Sequence, residues 1–172
     1  KVRNRRPIIA ERGIHQSPPG DQYFKGALFL NTLRNVMNDD KRWWALVRET
    51  YQNFKYQSIR TEDLVRLFSK RFETDLTPIF NQYLRRAELP VLELVFDEAA
   101  GRVAYRWKAG EQGFAMPIRV GDPKAWQTIT PTLQWQTLES GLGKEGFKVA
   151  SELYFVKVSK SLGAQDGGKE KK

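Results

Sequence analysis

The sequence contains no cysteine, which excludes disulfides, thiolate metal sites and thiol nucleophiles. It contains a single histidine, His15. Zinc sites need several His, Cys or carboxylate ligands converging on one point, and the helical pattern H-E-x-x-H is absent. The expectation is that this chain binds no metal by itself and that His15 is an exposed loop residue. A Ser–His–Asp triad would have to use His15, and no G-x-S-x-G elbow accompanies it. There is no phosphate-cradling glycine loop; the glycines between residues 140 and 146 read as a loop in a strand-rich region. No apolar run is long enough to cross a membrane, and the start shows no signal-peptide pattern. The first residue is Lys1 rather than Met, which points to a segment of a longer protein.

What the chain does have is an ordinary globular composition: 172 residues, 40% hydrophobic and 28% charged, with five Trp and ten Phe. Large rings bury much area each, so a chain of this length can build a core. The net charge is +9. A basic surface is the footprint of a nucleic-acid binder, but the Lys and Arg are scattered, and part of the excess sits at the two ends, Lys1 to Arg6 and Lys169 to Lys172. No helix-turn-helix, zinc-finger or aromatic–basic RNA motif is present. A solvated basic face without nucleic-acid binding is the reading adopted.

The patterning changes near Leu89-Pro90. Residues 1–20 read as an irregular lead-in punctuated by Pro and Gly. Asp21 stands where an N-cap belongs. Phe24, Ala27, Leu28, Leu30, Leu33 and Met37 then keep a helical rhythm and predict a buried helix. Asp39 or Asp40 opens a second helix, with Trp43, Trp44, Leu46, Val47, Tyr51 and Phe54 as its apolar side. Thr61 caps a third, whose Leu64, Val65, Leu67 and Phe68 face the core. Thr77-Pro78 opens a fourth, with Ile79, Phe80, Tyr83 and Leu84 buried. Beyond Pro90 the pattern alternates. Strands are expected over 91–96, 103–107, 114–120, 128–138 and 148–158, with a disordered tail from about Ser161. The fold expectation is α+β: a helical segment over 21–88, then an antiparallel β-sandwich over 89–160, then the tail, 161–172.

One stretch carries a chemical suggestion. Gly26 falls in the first turns of a helix, where Gly costs roughly 1 kcal/mol relative to Ala; close approach of another group is expected there. Tyr23, just inside the helix start, can aim its hydroxyl out of the helix end, where a phenol can donate to a developing oxyanion. Chemistry alone leaves two readings of Tyr23 open, a packing or surface ring and an oxyanion donor.

The run Tyr23-x-Lys25-Gly26-Ala27, followed by an apolar helix ending Leu33-Arg34, resembles the Y-x-K-G-A…L-R signature of aminopeptidase N-like gluzincins. Further stretches are similar in order to that family: Asn38-Asp39-Asp40-Lys41-x-Trp43, Phe54-Lys55-Tyr56, Ile59 to Asp63, Asp75 to Leu84, Leu89-Pro90, Tyr105-Arg106-Trp107 and Phe114 to Pro117. The resemblance covers roughly residues 4–158. It implies the helical end of a thermolysin-like catalytic domain joined to an Ig-like β-sandwich. It also implies a zinc-dependent parent that removes N-terminal residues from peptides, with Tyr23 donating to the tetrahedral intermediate. Lys25 and Gly26 are then motif residues that serve geometry, and Arg34 is structural. The zinc ligands, catalytic Glu and amino-group site of the family lie upstream of the matching stretch, so the chain alone is expected to be inactive. The rival expectation is a non-catalytic protein-interaction scaffold of the same fold.

Overall fold

The structure is a computed structural model and describes residues 2–3, 5–10, 13–15, 17 and 19–163. The described part of the lead-in contains no helix or strand. It is tied to the helices by two backbone donors: Ile9 N–H to the Leu84 carbonyl (2.8 Å) and Arg3 N–H to the Asp21 carboxylate (2.7 Å). Four helices follow: α1 (Gln22–Met37), α2 (Asp40–Phe54), α3 (Thr61–Phe72) and α4 (Thr77–Arg85). All four lie where the apolar spacing places them. Asp21 does sit at the N-cap of α1, but its side chain makes no capping bond; it accepts from Arg3 instead. Asp39 caps α2, its carboxylate accepting from Arg42 N–H at 3.0 Å. Arg60, not Thr61, is the N-cap of α3, and Asp63 in its first turn accepts from Arg60 N–H. Pro78 occupies the first turn of α4, where a missing N–H costs nothing.

The inward faces of α1 and α2 differ from the expected ones. On α1 the buried line is Lys25, Phe29, Thr32 and Leu33, while Phe24, Leu28 and Leu30 are exposed. Only Trp43 and Leu46 of α2 are buried; Trp44, Val47 and Tyr51 are exposed. The reason on α1 is that apolar residues surround the helix, so spacing alone cannot choose a side. The side is set by polar ties to the sheet half.

After Pro90 come seven strands: β1 (Val91–Asp97), β2 (Arg102–Lys108), β3 (Ile118–Asp122), β4 (Ala125–Ile129), β5 (Gln136–Glu139), β6 (Lys148–Val149) and β7 (Lys157–Leu162). They form a four-stranded sheet in the order β5-β2-β1-β7 and a three-stranded sheet in the order β4-β3-β6. Alternation works as expected in β1 and β2: Leu92, Leu94, Phe96, Val103, Tyr105 and Trp107 are all buried. Gly101, at φ +60, makes the hairpin turn between them.

Five expectations are corrected. The 114–120 stretch is extended only from Ile118, because the Trp107 indole N–H donates to the Met116 carbonyl and takes that group out of any ladder. The 128–138 stretch splits into the end of β4 and β5, with Thr132 N–H bonded to the Gln136 side chain across the break. The 148–158 stretch is divided by a single 3-10 turn at Ser151–Leu153. Finally, β7 pairs with β1 in parallel, so the larger sheet is mixed rather than antiparallel. The chain reaches β7 from the Pro90 end, Lys157 N–H donating to the Pro90 carbonyl, and a hairpin is not involved. Ser161 and Leu162, assigned to the tail, belong to β7; the remainder of that expectation, from residue 164, lies outside the described residues.

The buried apolar side chains of helices and sheets form one cluster. Its centre is aromatic. Phe29 meets Phe80 edge-on and stacks on Tyr83, and Tyr83 stacks on Phe155. The Tyr83 hydroxyl donates to the Phe155 carbonyl at 3.0 Å, and burial pushes its pKa upward.

Candidate functional site

The site is built on α1, so what fixes α1 fixes the site. Three polar side chains on its inward side bind backbone of the sheet half. The Thr32 hydroxyl accepts from Phe155 N–H (2.8 Å) and donates to the Leu28 carbonyl within the helix (2.9 Å). The Asn31 and Asn35 amides both donate to the Leu153 carbonyl at 3.2 Å. These bonds set the rotation of the helix about its axis, since each requires one face to look toward the 151–155 stretch.

Lys25 fixes the first turn. It is only 1% exposed, and its ammonium donates to the Arg86 carbonyl just past the end of α4 (3.1 Å). A cation there sits beside the negative end of the α4 dipole. Burial holds the Lys25 pKa below its ordinary value, opposed by the charges of Asp21 and Glu88. Nearby, the buried Gln82 continues the polar seam. It donates to the Glu88 carbonyl and accepts from Gly110 N–H and Glu111 N–H. Arg86 pairs with Glu111. The first turn of α1 is thus referenced to α4 and to the 110–111 turn of the sheet half.

Two residues before Lys25, Tyr23 lies on the other side of the helix and is 80% exposed. No aliphatic wall encloses it. In front of the same turn is an open cleft whose charged lining is Arg3, Arg5, Arg6 and Asp21, with Phe24 at its edge. Three guanidinium groups against one carboxylate favour an anionic group. The sequence reading missed this cleft, placing Lys1 to Arg6 among the ragged ends; the signal was the spacing of three arginines before a helix start.

The other motif residues separate in role. Arg34 makes a two-point bond to Asp40 (Nε to Oδ1 2.8 Å, Nη2 to Oδ2 2.7 Å) and lies over the Trp44 ring, so it clamps the end of α1 to the start of α2. The same bond holds the Asp40 carboxyl below the usual carboxylate range. Gly26 departs from expectation. A Cβ built on it meets nothing within 4 Å, so no close approach within the described residues requires glycine there. His15 is exposed. Among the described residues no group of three His, Asp or Glu side chains could hold a metal, and no helix is long and apolar enough to cross a membrane.

No protein-family model matches the chain, and no curated protein matches it in sequence. A solved structure is similar in fold: Legionella pneumophila aminopeptidase A in complex with aspartic acid, with a TM-score of 0.62 at 13% identity. The likeness covers 82% of this chain and 18% of that one. At this identity it establishes an α+β fold of the kind found in that aminopeptidase. The chain spans less than a fifth of its neighbour's length.

Proposed function

We propose that the chain is the C-terminal part of a zinc-dependent aminopeptidase, and that Tyr23 is its oxyanion donor. The observation that carries this reading is the contrast within one helical turn: a buried, anchored Lys25 and an outward Tyr23 with its ring largely in the open. Donors that stabilise developing charge must be preorganised before the reaction. Fixing the backbone of α1 by Lys25, Thr32 and two asparagines does this without covering the phenol. The fold likeness to an aminopeptidase and the resemblance of the Tyr23–Arg34 run to the gluzincin signature support the same assignment.

The described residues do not fit a zinc ion, since they offer no cluster of ligands. The metal and the group that binds the substrate's amino terminus belong to other polypeptide, and the 172-residue chain alone is inactive. What this chain supplies is the phenolic hydrogen bond to the tetrahedral oxygen, a neighbouring cationic cleft, and the scaffold that holds both. Replacing Tyr23→Phe in the intact peptidase removes one donor and little volume. Turnover should fall on the order of 10²–10³-fold, about 3 kcal/mol, with KM little changed. Wild-type turnover in that variant would remove Tyr23 from the mechanism. An intact polypeptide that hydrolyses no peptide at all would favour the interaction scaffold.

A further inference from the structure

A second cavity, lined by none of the residues of the candidate site, lies where the helical half meets the sheet half. Its volume is about 350 Å³, within the range of small-molecule sites. The walls are apolar: Val36 and Met37 at the end of α1, Phe72 at the end of α3, Leu76 and Ile79 at the start of α4, and Pro117 just before β3. Leu76 and Ile79 belong to the buried core, so this lining is fixed by packing. Both α1 and α3 stop at the cavity. Each ends in a left-handed residue, Asn38 (φ +52) and Glu73 (φ +58), directly after Met37 and Phe72. The chain turns away there and leaves the space open.

The rim carries one charge of each sign. Arg42, in the first turn of α2, donates through Nη2 to the Arg71 carbonyl (2.7 Å) and to the Glu73 carboxylate (3.3 Å). Its Nε and Nη1 have no partner among the described residues. Asp75 accepts from Thr77 N–H through Oδ1 (2.9 Å), and no cation pairs with it among the described residues. The two charges share a rim, because Glu73, which touches Arg42, is separated from Asp75 by Thr74 alone. The helix dipoles agree. The C-terminal ends of α1 and α3 border the cavity and favour a cation, while the first turns of α2 and α4 border it and favour an anion.

We propose that this cavity binds a free apolar amino acid, with its side chain among Met37, Phe72, Leu76 and Ile79, its carboxylate on Arg42 and its ammonium on Asp75. Charge complementarity selects that occupant. A fatty acid would use the cation alone, and an aliphatic amine the carboxylate alone. An amino acid carries both charges and the apolar group on a single carbon, which matches a rim of both signs over an apolar wall. The proposal does not depend on the role of Tyr23.

The test titrates L-leucine into the intact polypeptide by calorimetry. Saturable binding is expected. L-leucinol lacks the carboxylate and N-acetyl-L-leucine lacks the ammonium, and each should bind about tenfold or more weakly than leucine. Asp75→Asn keeps an acceptor for Thr77 N–H but loses the charge. It should weaken leucine by a similar factor and leave N-acetyl-L-leucine unchanged. Ala115→Leu adds bulk to the cavity wall and should abolish binding. No saturable binding, equal affinity for the three ligands, or leucine affinity unchanged in both variants would overturn the proposal. The ligand series decides the matter even where a variant fails to fold. Tyr23→Phe should leave leucine binding at the cavity unchanged, so failure here and failure of the catalytic reading are seen separately.

Discussion

The strands and the helices treat their large rings differently. In the sheet half, Phe96, Trp107, Phe114 and Phe147 are all at most 2% exposed. In the helical half, Tyr23, Phe24, Trp44, Tyr51 and Tyr56 are each more than half exposed, although Phe29, Trp43, Phe68, Phe80 and Tyr83 are buried beside them. The sheets close their core on themselves and on α1 and α4. The helices bury one side and leave several large apolar side chains exposed on another.

That contrast can be broken by substitution. Trp107→Ala should cost about 3–5 kcal/mol in denaturant unfolding, because it empties a filled position and strips the Met116 carbonyl of its donor. Trp44→Ala removes a ring of the same size yet should shift stability of this chain by only about 0.5 kcal/mol, the scale of a surface change. Equal losses would mean that the outer side of α2 is part of the core after all.

A smaller effect sharpens the account of Lys25. Its pKa is depressed in the folded chain because burial disfavours the ammonium, whereas the unfolded chain holds the proton at about the ordinary 10.5. Between those two values the unfolded state binds more protons, so stability from this group rises with pH. Comparing the wild type with Lys25→Met isolates it from other groups that titrate in the alkaline range. The wild type should gain on the variant as pH rises toward 10.5; a flat difference would mean that the lysine is as well solvated folded as unfolded.

The sequence was legible where one side of an element is apolar and the other is not. In β2, Arg102, Ala104 and Arg106 alternate with Val103, Tyr105 and Trp107, and the structure buries the latter three. Residues 114–117, just before β3, were misread because a run in which buried residues alternate looks like a strand whether or not its carbonyls are in a ladder. On α1 the pattern misled for a physical reason. Apolar residues lie all round it, and the residues that choose its inward side, Lys25 and Thr32, are polar ones that a hydrophobic count passes over. The tail reading failed at Ser161 and Leu162, because no residue of β7 is buried and its pairing with β1 is set by the backbone. Of the candidate site, the order Tyr23, Lys25, Gly26, Arg34 was visible in sequence. The burial of Lys25, the Arg34–Asp40 clamp and the arginine-lined cleft were not, since each depends on residues brought together from different elements.

The central claim concerns charge on one oxygen, and affinity for a tetrahedral mimic reads it without turnover. In the intact polypeptide, a phosphinic peptide analogue should bind Tyr23→Phe on the order of 10²-fold more weakly than wild type, while a ground-state peptide of the same side chains binds both alike. Equal affinity of the two proteins for the phosphinic analogue would contradict the assignment of Tyr23.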